Sequence, residues 1–321
     1  MNARASLFSR RARGLFSVTR HLLRYGRPAR TLLFGPESIG DDLLCTTVLH
    51  EARRRNTPFA MMTNRPELFT GNSDPQAIIP IDDYYAQTLR RLGSRVVQPY
   101  YVRPDLSHAS RDVLPPHHII AEMCRLAGLT GTITLRPYLT LSDAERHSGR
   151  LFPRQIILQS SVLAARIPYL TKEWTVGRMA EVARQLADDA TLIQLGSTSD
   201  PALPGVNDLR GKTTLRQAAA LLANAELFIG LEGFLTHLAR AVDCPAVVVH
   251  GGRAPAAVFG YGCNINLHST VPCSPCGLRR DCPHDLRCMS AIDVCSVVTA
   301  ARTLLSDPGP RPIPAEKCLL P

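Results

Sequence analysis

Short apolar runs alternate along the first half of the chain with stretches in which apolar residues recur at helical spacing. A helix over about residues 43–55 follows the first run, with apolar residues on one face and three arginines at its end, where cations are favoured. The predicted strands are Thr31–Phe34, Phe59–Thr63 and Ala77–Ile81. Strands that alternate with helices predict a parallel sheet covered on both faces.

The same alternation restarts after a weaker stretch at residues 136–153. Thr214 and Gln217 form a capping-box pattern that predicts a helix running to Asn224. Further helices are predicted around residues 176–186 and over Leu235–Val242. The predicted strands are Gln155–Gln159, Thr191–Leu195, Glu226–Ile229 and Ala246–Val249. Two α/β units would create a cleft at the carboxyl ends of their strands, where ligands bind in such sheets.

With 321 residues, the chain is long for one domain and comfortable for two. We divide it into a basic arm (1–30), an N-terminal α/β domain (31–145), a C-terminal α/β domain (146–306) and a proline-rich tail (307–321). The C-terminal domain contains a cysteine-rich segment over residues 263–295.

The formal net charge is +10, and eight arginines precede residue 31 without an acid before Glu37. Such an arm suits an anionic partner, for example acidic lipid headgroups, although a solvated basic arm is the alternative. Arg20 and His21 interrupt its apolar part, which argues against a signal peptide, and a transit peptide is a minor alternative. With no apolar run of membrane-spanning length in the sequence, we expect a soluble or peripheral protein.

Several function classes lack their expected patterns. A GxGxxG element does not follow the first predicted strand, and GxxxxGK[ST] does not occur, which argues against a dinucleotide oxidoreductase and a P-loop phosphotransferase. Basic charge without interleaved aromatic residues or a recognisable module argues against nucleic acid as the partner.

Two carboxylates, Asp41 and Asp42, follow Gly40 where the first strand gives way to a helix. Gly40 would allow a tight turn, and Asp41 at the mouth of the cleft could take a proton from an attacking hydroxyl. Either aspartate could instead cap the helix. We assign Asp41 to proton abstraction and Asp42 to the helix start.

Two further segments carry candidate ligand-binding residues. Lys172, beside the only tryptophan, suits a phosphate near a helix N-terminus, and a surface lysine is the alternative. In GLEGFLTHLARA, Glu232 could accept hydrogen bonds from ribose hydroxyls. His237 could reach a phosphate or a sugar, or could be a packed histidine. Ser197, at the end of a predicted strand, is a further candidate.

Six of the ten cysteines lie between Cys263 and Cys295. A secreted disulfide scaffold would be shorter and more evenly cross-linked, so we expect a reducing compartment. Four thiolates suit zinc or ferric iron, and His284 is an extra candidate ligand. The alternative is a reduced cluster or opportunistic disulfides. The C-x2-C-x5-C-x5-C array consists of Cys273, Cys276, Cys282 and Cys288.

From about Leu32 to Leu305, the order of these elements resembles glycosyltransferase family 9, the lipopolysaccharide heptosyltransferases and their relatives. The family's S-x-G-D element is matched at residues 37–41, its K-x-W element at Lys172–Trp174, and its G-x-D-[ST]-G-x-x-H-L-A element in part at 230–239. LRGKTTLRQAAALLANAELFIG resembles the lead-in to the last element, and many members share the CSPC stretch.

The resemblance implies two Rossmann-like domains of the GT-B type, facing across a cleft, and an inverting reaction without a cofactor. It implies Asp41 as the base, with Ser38 and Gly40 on the acceptor side. The donor would be a nucleotide sugar, with ADP-heptose favoured, and the acceptor a lipopolysaccharide core or other surface glycan. We expect a cytoplasmic protein, which the basic arm, an extension outside the family pattern, could hold at the anionic face of the inner membrane. The expected donor-binding residues are Lys172, Ser197, Glu232, Gly233 and His237.

Three departures from the family pattern concern the donor. Glu232 replaces an aspartate, Gly233 a hydroxyl residue, and Phe234 a glycine. Phe234 motivates an alternative interpretation as a catalytically weakened nucleotide-sugar binding protein. The cysteine array motivates another, a protein heptosyltransferase of the autotransporter type with a structural zinc or iron.

Overall fold

The structure is a computed structural model that describes residues 16, 19, 20, 23, 30–35 and 38–321. Most of the predicted basic arm and Glu37 of the first motif therefore lie outside the described residues. Within the described part of the chain, none of the helices combines the length and apolar character needed to cross a membrane.

The first half is built on a four-stranded parallel sheet with the order β3-β2-β1-β4. Its central strand, β1, is apolar on both faces because helices cover both sides, as in other parallel α/β sheets. The elements of this half are β1 (Thr31–Phe34), α1 (Ile39–Arg54), β2 (Ala60–Met62), a 3-10 helix (Pro66–Phe69), β3 (Ile78–Ile79), α2 (Asp83–Arg91), β4 (Arg95–Val97), β5 (Arg103–Pro104), β6 (Asp112–Val113), α3 (Ile119–Leu126), β7 (Gly131–Thr134) and α4 (Asp143–Ser148).

The second half is built on a six-stranded parallel sheet with the order β10-β9-β8-β11-β12-β13. Every residue of its central strands β8 and β11 is buried. The elements are β8 (Gln155–Leu158), a 3-10 helix (Leu170–Lys172), α5 (Val176–Leu186), β9 (Thr191–Gln194), β10 (Asn207–Asp208), α6 (Leu215–Ala223), β11 (Leu227–Leu231), α7 (Phe234–Ala241), β12 (Ala246–Val249), α8 (Ala256–Phe259), β13 (Ile265–Leu267), α9 (Arg287–Ser290), α10 (Val294–Ser306) and β14 (Lys317–Leu320).

The seven predicted strands and four predicted helices are all present, with ends shifted by at most a few residues. The capping box of α6 forms as predicted, with Thr214 and Gln217 each bonded to the other's backbone N–H. The sequence pattern missed short strands such as β4, β10 and β13, because two or three residues carry too little periodicity. The predicted division after residue 145 falls inside α4, which packs against α6.

Residues 307–321, expected to form a tail, return to the first half of the chain. β14 pairs antiparallel with β7, and Leu320 is buried in the core. The buried guanidinium of Arg240 donates to the Ile313 and Pro314 carbonyls at 3.3 and 3.2 Å. The segment therefore joins the two halves, because its strand belongs to one and its anchor to the other.

The two halves meet through the helices that follow their central strands. α1 leaves the carboxyl end of β1, α7 leaves the carboxyl end of β11, and the two helices pack against each other. A Cβ on Gly40 would lie 3.8 Å from His237 Cδ2 and 3.9 Å from the Phe234 Cα. The first turns of α1 and α7 are therefore brought face to face, and the candidate site lies around them.

Candidate functional site

Asp41 lies in the first turn of α1, at the carboxyl end of β1. The Tyr101 hydroxyl donates a hydrogen bond to Asp41 Oδ1 at 2.7 Å. Burial raises the pKa of Asp41, and although the hydrogen bonds from Tyr101 and Ser38 lower it, the net pKa is above the ordinary value of 3.8. Such a carboxylate is a better proton acceptor than an exposed aspartate.

Gly40 lies within the first turn of α1 and does not form a tight turn out of β1, in contrast to our expectation. The chain leaves β1 through Gly35, where a Cβ would lie 2.5 Å from Asp42 Oδ1. The missing side chain of Gly40 instead leaves room beside His237 and Phe234. A Cβ there would make only ordinary contacts, so the approach of α1 and α7 at this point does not require a glycine.

Asp42 does not cap α1, which corrects its assignment to the helix start. The N-cap residue is Ser38, and none of the side chains that the structure describes caps the helix by a hydrogen bond. Asp42 is buried and its Oδ2 accepts hydrogen bonds from Thr63 Oγ1 and Arg65 Nη1, both at 2.9 Å. The second carboxylate therefore ties α1 to the segment after β2.

Lys172 and Glu232, predicted as separate donor-binding residues, form one buried ion pair. Lys172 Nζ donates to Glu232 Oε1 at 2.6 Å, and the two residues are 8% and 4% exposed. Burial alone would raise the pKa of Glu232, but Lys172 and Arg253 lower it to about 2. Burial lowers the pKa of Lys172, and the adjacent Glu232 opposes that shift. Glu232 is therefore a permanently charged group near neutral pH.

His237 lies on α7 and faces the first turn of α1. Its Nδ1 is 2.8 Å from the Tyr261 hydroxyl, and its ring meets the Tyr261 ring edge to face. Burial lowers the pKa of His237 to about 3, so the imidazole is neutral near pH 7. It can exchange hydrogen bonds with a ligand, but it brings no positive charge.

The start of α7 carries two of the departures from the family pattern. Gly233 is the N-cap residue, in an extended conformation with φ 170°. Phe234 is half-buried and packs against the main hydrophobic core. The aromatic ring is thus part of the packing between the two halves.

Ser197 lies in a separate loop after β9. Its backbone N–H donates to Asp200 Oδ2 at 2.8 Å, and its Oγ is 3.1 Å from Ser199 Oγ. These contacts of Ser197 are therefore internal to its own loop. The structure brings together Gly40, Asp41, Lys172, Glu232 and His237, whereas Ser197 stays with its own loop.

Two functional candidates were missed by the sequence reasoning. Tyr101 follows β4 and binds Asp41, and Arg253 follows β12 and lies between the charged groups of both halves. Arg253 could have been found, because it is a charged residue at the carboxyl end of a predicted strand, after Gly251 and Gly252. Tyr101 gave no such signal, since β4 is too short to be predicted.

The cysteine loop forms the wall of a cavity of about 360 Å³ beside this cluster. All ten cysteines of the chain are free thiols. A Cβ on Gly252 would lie 2.8 Å from Cys288 Sγ and 3.7 Å from Cys276 Sγ, so two sulfurs converge on one glycine. The thiol and imidazole groups that line the cavity belong to Cys273, Cys276, Cys282, His284 and Cys288.

These donor types suit zinc or iron. Among the described residues, however, no group of three or more His, Cys, Asp or Glu side chains is close enough to hold a metal ion. The chemistry of the donor set thus fits a metal, and the arrangement of the loop does not gather the ligands. The metal site stays a prediction.

Comparison with known proteins agrees with the resemblance predicted from the sequence. Residues 163–285 match the sequence model of glycosyltransferase family 9 (heptosyltransferase). Lipopolysaccharide heptosyltransferase 1 of Pseudomonas aeruginosa is 27% identical over 126 residues, which are 36% of this chain and 35% of that protein. The chain thus matches about a third of the length of this curated relative. The resemblance to the family is confirmed.

Solved structures match over most of the chain. The ADP-heptose lipopolysaccharide heptosyltransferase II of E. coli has a TM-score of 0.63 at 15% identity, covering 87% of this chain and 99% of that one. The iron-containing dodecameric glycosyltransferase TibC of enterotoxigenic E. coli has a TM-score of 0.66 at 17% identity, covering 87% and 77%. TibC is also known in complex with ADP-D-β-D-heptose. The fold is the predicted one, two Rossmann-like domains of the GT-B type facing across a cleft.

Proposed function

We propose that this chain, similar to the heptosyltransferases of glycosyltransferase family 9, transfers a heptose from ADP-heptose to a hydroxyl of a lipopolysaccharide core or another cell-surface glycan. One observation carries the proposal: a carboxylate with a raised pKa, Asp41, faces a cluster that contains Lys172, Glu232 and His237. A proton acceptor opposite a set of polar groups that can hold a nucleotide sugar is what glycosyl transfer requires.

In the proposed reaction, Asp41 takes the proton of the acceptor hydroxyl as its oxygen attacks the anomeric carbon. The new bond joins that oxygen to the sugar carbon, and the bond from the sugar carbon to the diphosphate oxygen breaks. The electron pair leaves with ADP. A single displacement inverts the configuration at the anomeric carbon. Tyr101, through its hydrogen bond of 2.7 Å, orients the carboxylate for this step.

The donor side would be formed by the start of α7 and the adjacent loop. Lys172 contributes positive charge toward the diphosphate, and Glu232, held ionised, accepts hydrogen bonds from sugar or ribose hydroxyls. The backbone N–H groups at the beginning of α7 would be available to an anion bound at this end of the helix. His237 contributes a neutral hydrogen-bonding group.

The acceptor side would be the start of α1 in the first half of the chain, with Ser38 at its N-cap and Gly40 in its first turn. We also propose that the basic arm holds the enzyme on an anionic membrane surface, in the cytoplasm, where such glycans are assembled. This part rests on the charge of residues 1–30 alone.

The direct test is release of ADP from ADP-heptose by purified protein, with and without a deep-rough lipopolysaccharide acceptor. We expect acceptor-dependent release that is lost in Asp41→Asn, and a product whose anomeric configuration, read by NMR, is opposite to that of the donor. Release of UDP or GDP from the corresponding sugar nucleotides, without release of ADP, would show that the donor is not ADP-heptose. The transferase proposal fails if wild-type protein turns over none of these donors with a competent acceptor preparation.

We propose a protein acceptor as a second candidate function. The observation that favours it is the thiol-lined cavity beside the cluster, together with the similarity in fold to TibC, whose structure is described as iron-containing. If metal is bound, Cys273, Cys276, Cys282 and Cys288 would hold it, with a structural contribution only. The cavity contributes no step to the chemistry above.

Elemental analysis of protein purified without an affinity tag distinguishes these candidates. About one zinc or iron per chain, lost in Cys276→Ser with Cys288→Ser, supports the second candidate. A matched control is Cys295→Ser, since Cys295 is exposed and lies on α10 outside the cavity. Metal far below one atom per chain removes the reason for the protein-acceptor proposal and leaves the first candidate untouched.

A further inference from the structure

Arg253 is a buried cation that neither the family pattern nor the proposed reaction has used so far. It follows β12 and is 3% exposed. Its guanidinium lies 4.1 Å from the centre of the Tyr169 ring and 4.6 Å from that of the Phe259 ring. Aromatic rings against the guanidinium fix its plane, so its N–H groups have one orientation before any ligand arrives.

The hydrogen bonds of this guanidinium are incomplete. Nη2 donates to Asp112 Oδ2 and to the Tyr169 hydroxyl, both at the long distance of 3.3 Å. Among the residues that the structure describes, Nε finds no hydrogen-bond partner. A guanidinium carries five N–H donors, and a buried donor without an acceptor costs free energy. The arrangement therefore favours an incoming acceptor.

The charges around Arg253 are shared unevenly. Glu232 is 2.6 Å from Lys172 Nζ but 4.0 Å from Arg253 Nη1, so it is matched mainly by the lysine. Asp112 is divided between Arg253 at 3.3 Å and Arg279 at 3.8 Å. Among the buried cations, Arg253 is thus less closely neutralised than Lys172, and it lies on the donor side.

We propose that Arg253 binds the diphosphate of the nucleotide-sugar donor, with its Nε and one terminal nitrogen donating to phosphate oxygens. This inference rests on the proposed function, since it names the group that holds the donor of that reaction. A planar guanidinium matches two phosphate oxygens at once, which an ammonium cannot do. Arg253 then stabilises the negative charge that develops on the diphosphate as the bond to the sugar breaks.

The loop after β12 is built to hold this residue in place. Gly251 packs so closely on the Lys172 loop that a side chain there would collide with the Thr171 carbonyl. The Gly252 carbonyl accepts a hydrogen bond from the Cys276 N–H at 2.6 Å, and the Arg253 carbonyl one from Gly277 at 3.0 Å. The N–H groups of Cys276 and Gly277 thus hold the backbone from which the guanidinium extends.

The test compares binding of ADP, AMP and inorganic pyrophosphate by calorimetry to wild type, Arg253→Lys and Arg253→Met. Lysine keeps the charge and loses the fork, and thermal unfolding checks that each variant is folded. Loss of hydrogen bonds to a charged ligand should weaken ADP and pyrophosphate binding by about 10- to 100-fold. Because AMP lacks the second phosphate, its affinity should fall much less than that of ADP.

The matched control is Arg279→Lys, which also touches Asp112 but has a side chain 29% exposed, and should leave all three affinities within about twofold. An equal loss for ADP and AMP would indicate a merely structural contribution and overturn the proposal, as would unchanged affinities in a folded Arg253→Lys. If wild type binds pyrophosphate and UDP or GDP but not ADP, the donor of the proposed function is wrong and the Arg253 comparison is made with that nucleotide. Absence of binding by pyrophosphate and every nucleotide overturns both.

Discussion

Each half of this protein places a carboxyl group where a central strand gives way to a helix. The pKa values of these two groups are shifted in opposite directions. Asp41, in the first turn of α1 after β1, has a raised pKa because burial outweighs the hydrogen bonds from Tyr101 and Ser38. Glu232, between β11 and α7, has a pKa near 2 because Lys172 and Arg253 outweigh the same effect of burial. Equivalent positions in two similar domains thus carry groups of different chemistry.

The opposite pKa shifts of Asp41 and Glu232 suit a cleft that separates proton transfer from charge stabilisation. When two titratable groups are pushed apart in pKa, the one with the raised value is suited to exchange protons and the other to remain charged. Hydroxyl groups surround Asp41, whereas cations surround Glu232. The neighbouring groups, rather than the two strand–helix junctions, therefore decide which carboxylate has the raised pKa that the proposed base requires.

Among the substitutions that test the difference between Asp41 and Glu232, Asp41→Asn should have the largest effect, and the effect should be on turnover. Removing a general base lowers turnover by about 10²- to 10⁴-fold while ADP binding is retained. Steady-state release of ADP and calorimetry measure the two properties separately. Turnover within a factor of a few of wild type would show that Asp41 is not the proton acceptor.

The same substitution should make the folded protein more stable at neutral pH. The folded pKa of Asp41 lies above 3.8, so the native state favours the protonated carboxyl, and its contribution to stability is lost as pH rises through the folded pKa. Asparagine cannot ionise, so Asp41→Asn should unfold at a higher temperature at pH 7 and at nearly the wild-type temperature below pH 3.8.

As a contrast, Asp42→Asn should lower stability, because Thr63 and Arg65 lose their buried acceptor.

Glu232→Gln should show the opposite dependence on pH. The folded pKa of about 2 lies below the ordinary 4.5, so the stabilisation is complete above pH 4.5 and is lost as pH falls toward 2. A shift of this size corresponds to about 3 kcal/mol. Denaturant unfolding of Glu232→Gln should give a lower free energy of unfolding at pH 7 and a flatter profile across this window.

Glu226→Gln is the matched control for that experiment. Its partner, Arg154, is half exposed, and such surface pairs contribute about 1 kcal/mol at most. If both glutamine variants lose the same small amount of stability, Lys172 and Glu232 do not form the buried pair described above.

Tyr101→Phe should produce a smaller change confined to the Asp41 side. The hydrogen bond from Tyr101 lowers the pKa of Asp41, so its removal should raise that pKa and move the acid limb of the pH–turnover profile to higher pH. Loss of one hydrogen bond to a charged group should also reduce turnover by about tenfold. A profile identical to that of wild type would exclude Tyr101 as a positioning residue.

The smallest effects concern the two glycines next to these carboxylates. Gly40 lies inside a helix and its Cβ would make only ordinary contacts of 3.8 Å or more, so Gly40→Ala should stabilise the protein by about 0.5–1 kcal/mol. Gly233 is an N-cap residue, and its Cβ would lie 3.3 Å from Val162 Cγ1, so Gly233→Ala should destabilise by about 0.5–1 kcal/mol. Thermal unfolding of the two variants should therefore shift in opposite directions.

The sequence by itself determined the order of the elements and the places where chemistry could occur. Apolar periodicity predicted β1 and β12 to the residue, and the Thr214 capping box marked the start of α6. It also placed Asp41 and Glu232 after strands, because the carboxyl ends of parallel strands meet at one edge of a sheet. These features depend on neighbours close in the chain, and a single sequence contains that information.

Only the tertiary structure decided what each of those residues meets. Tyr101 lies 60 positions from Asp41, and Glu232 lies 60 positions from Lys172. The segment over 307–321 was expected to be a tail, yet its strand β14 pairs with β7, which lies far earlier in the sequence. Burial and pairing with distant charges set the pKa of a carboxylate, and neither is a local property. The same strand–acid–helix pattern therefore yields a carboxyl group with a raised pKa in one half and a carboxylate with a lowered pKa in the other.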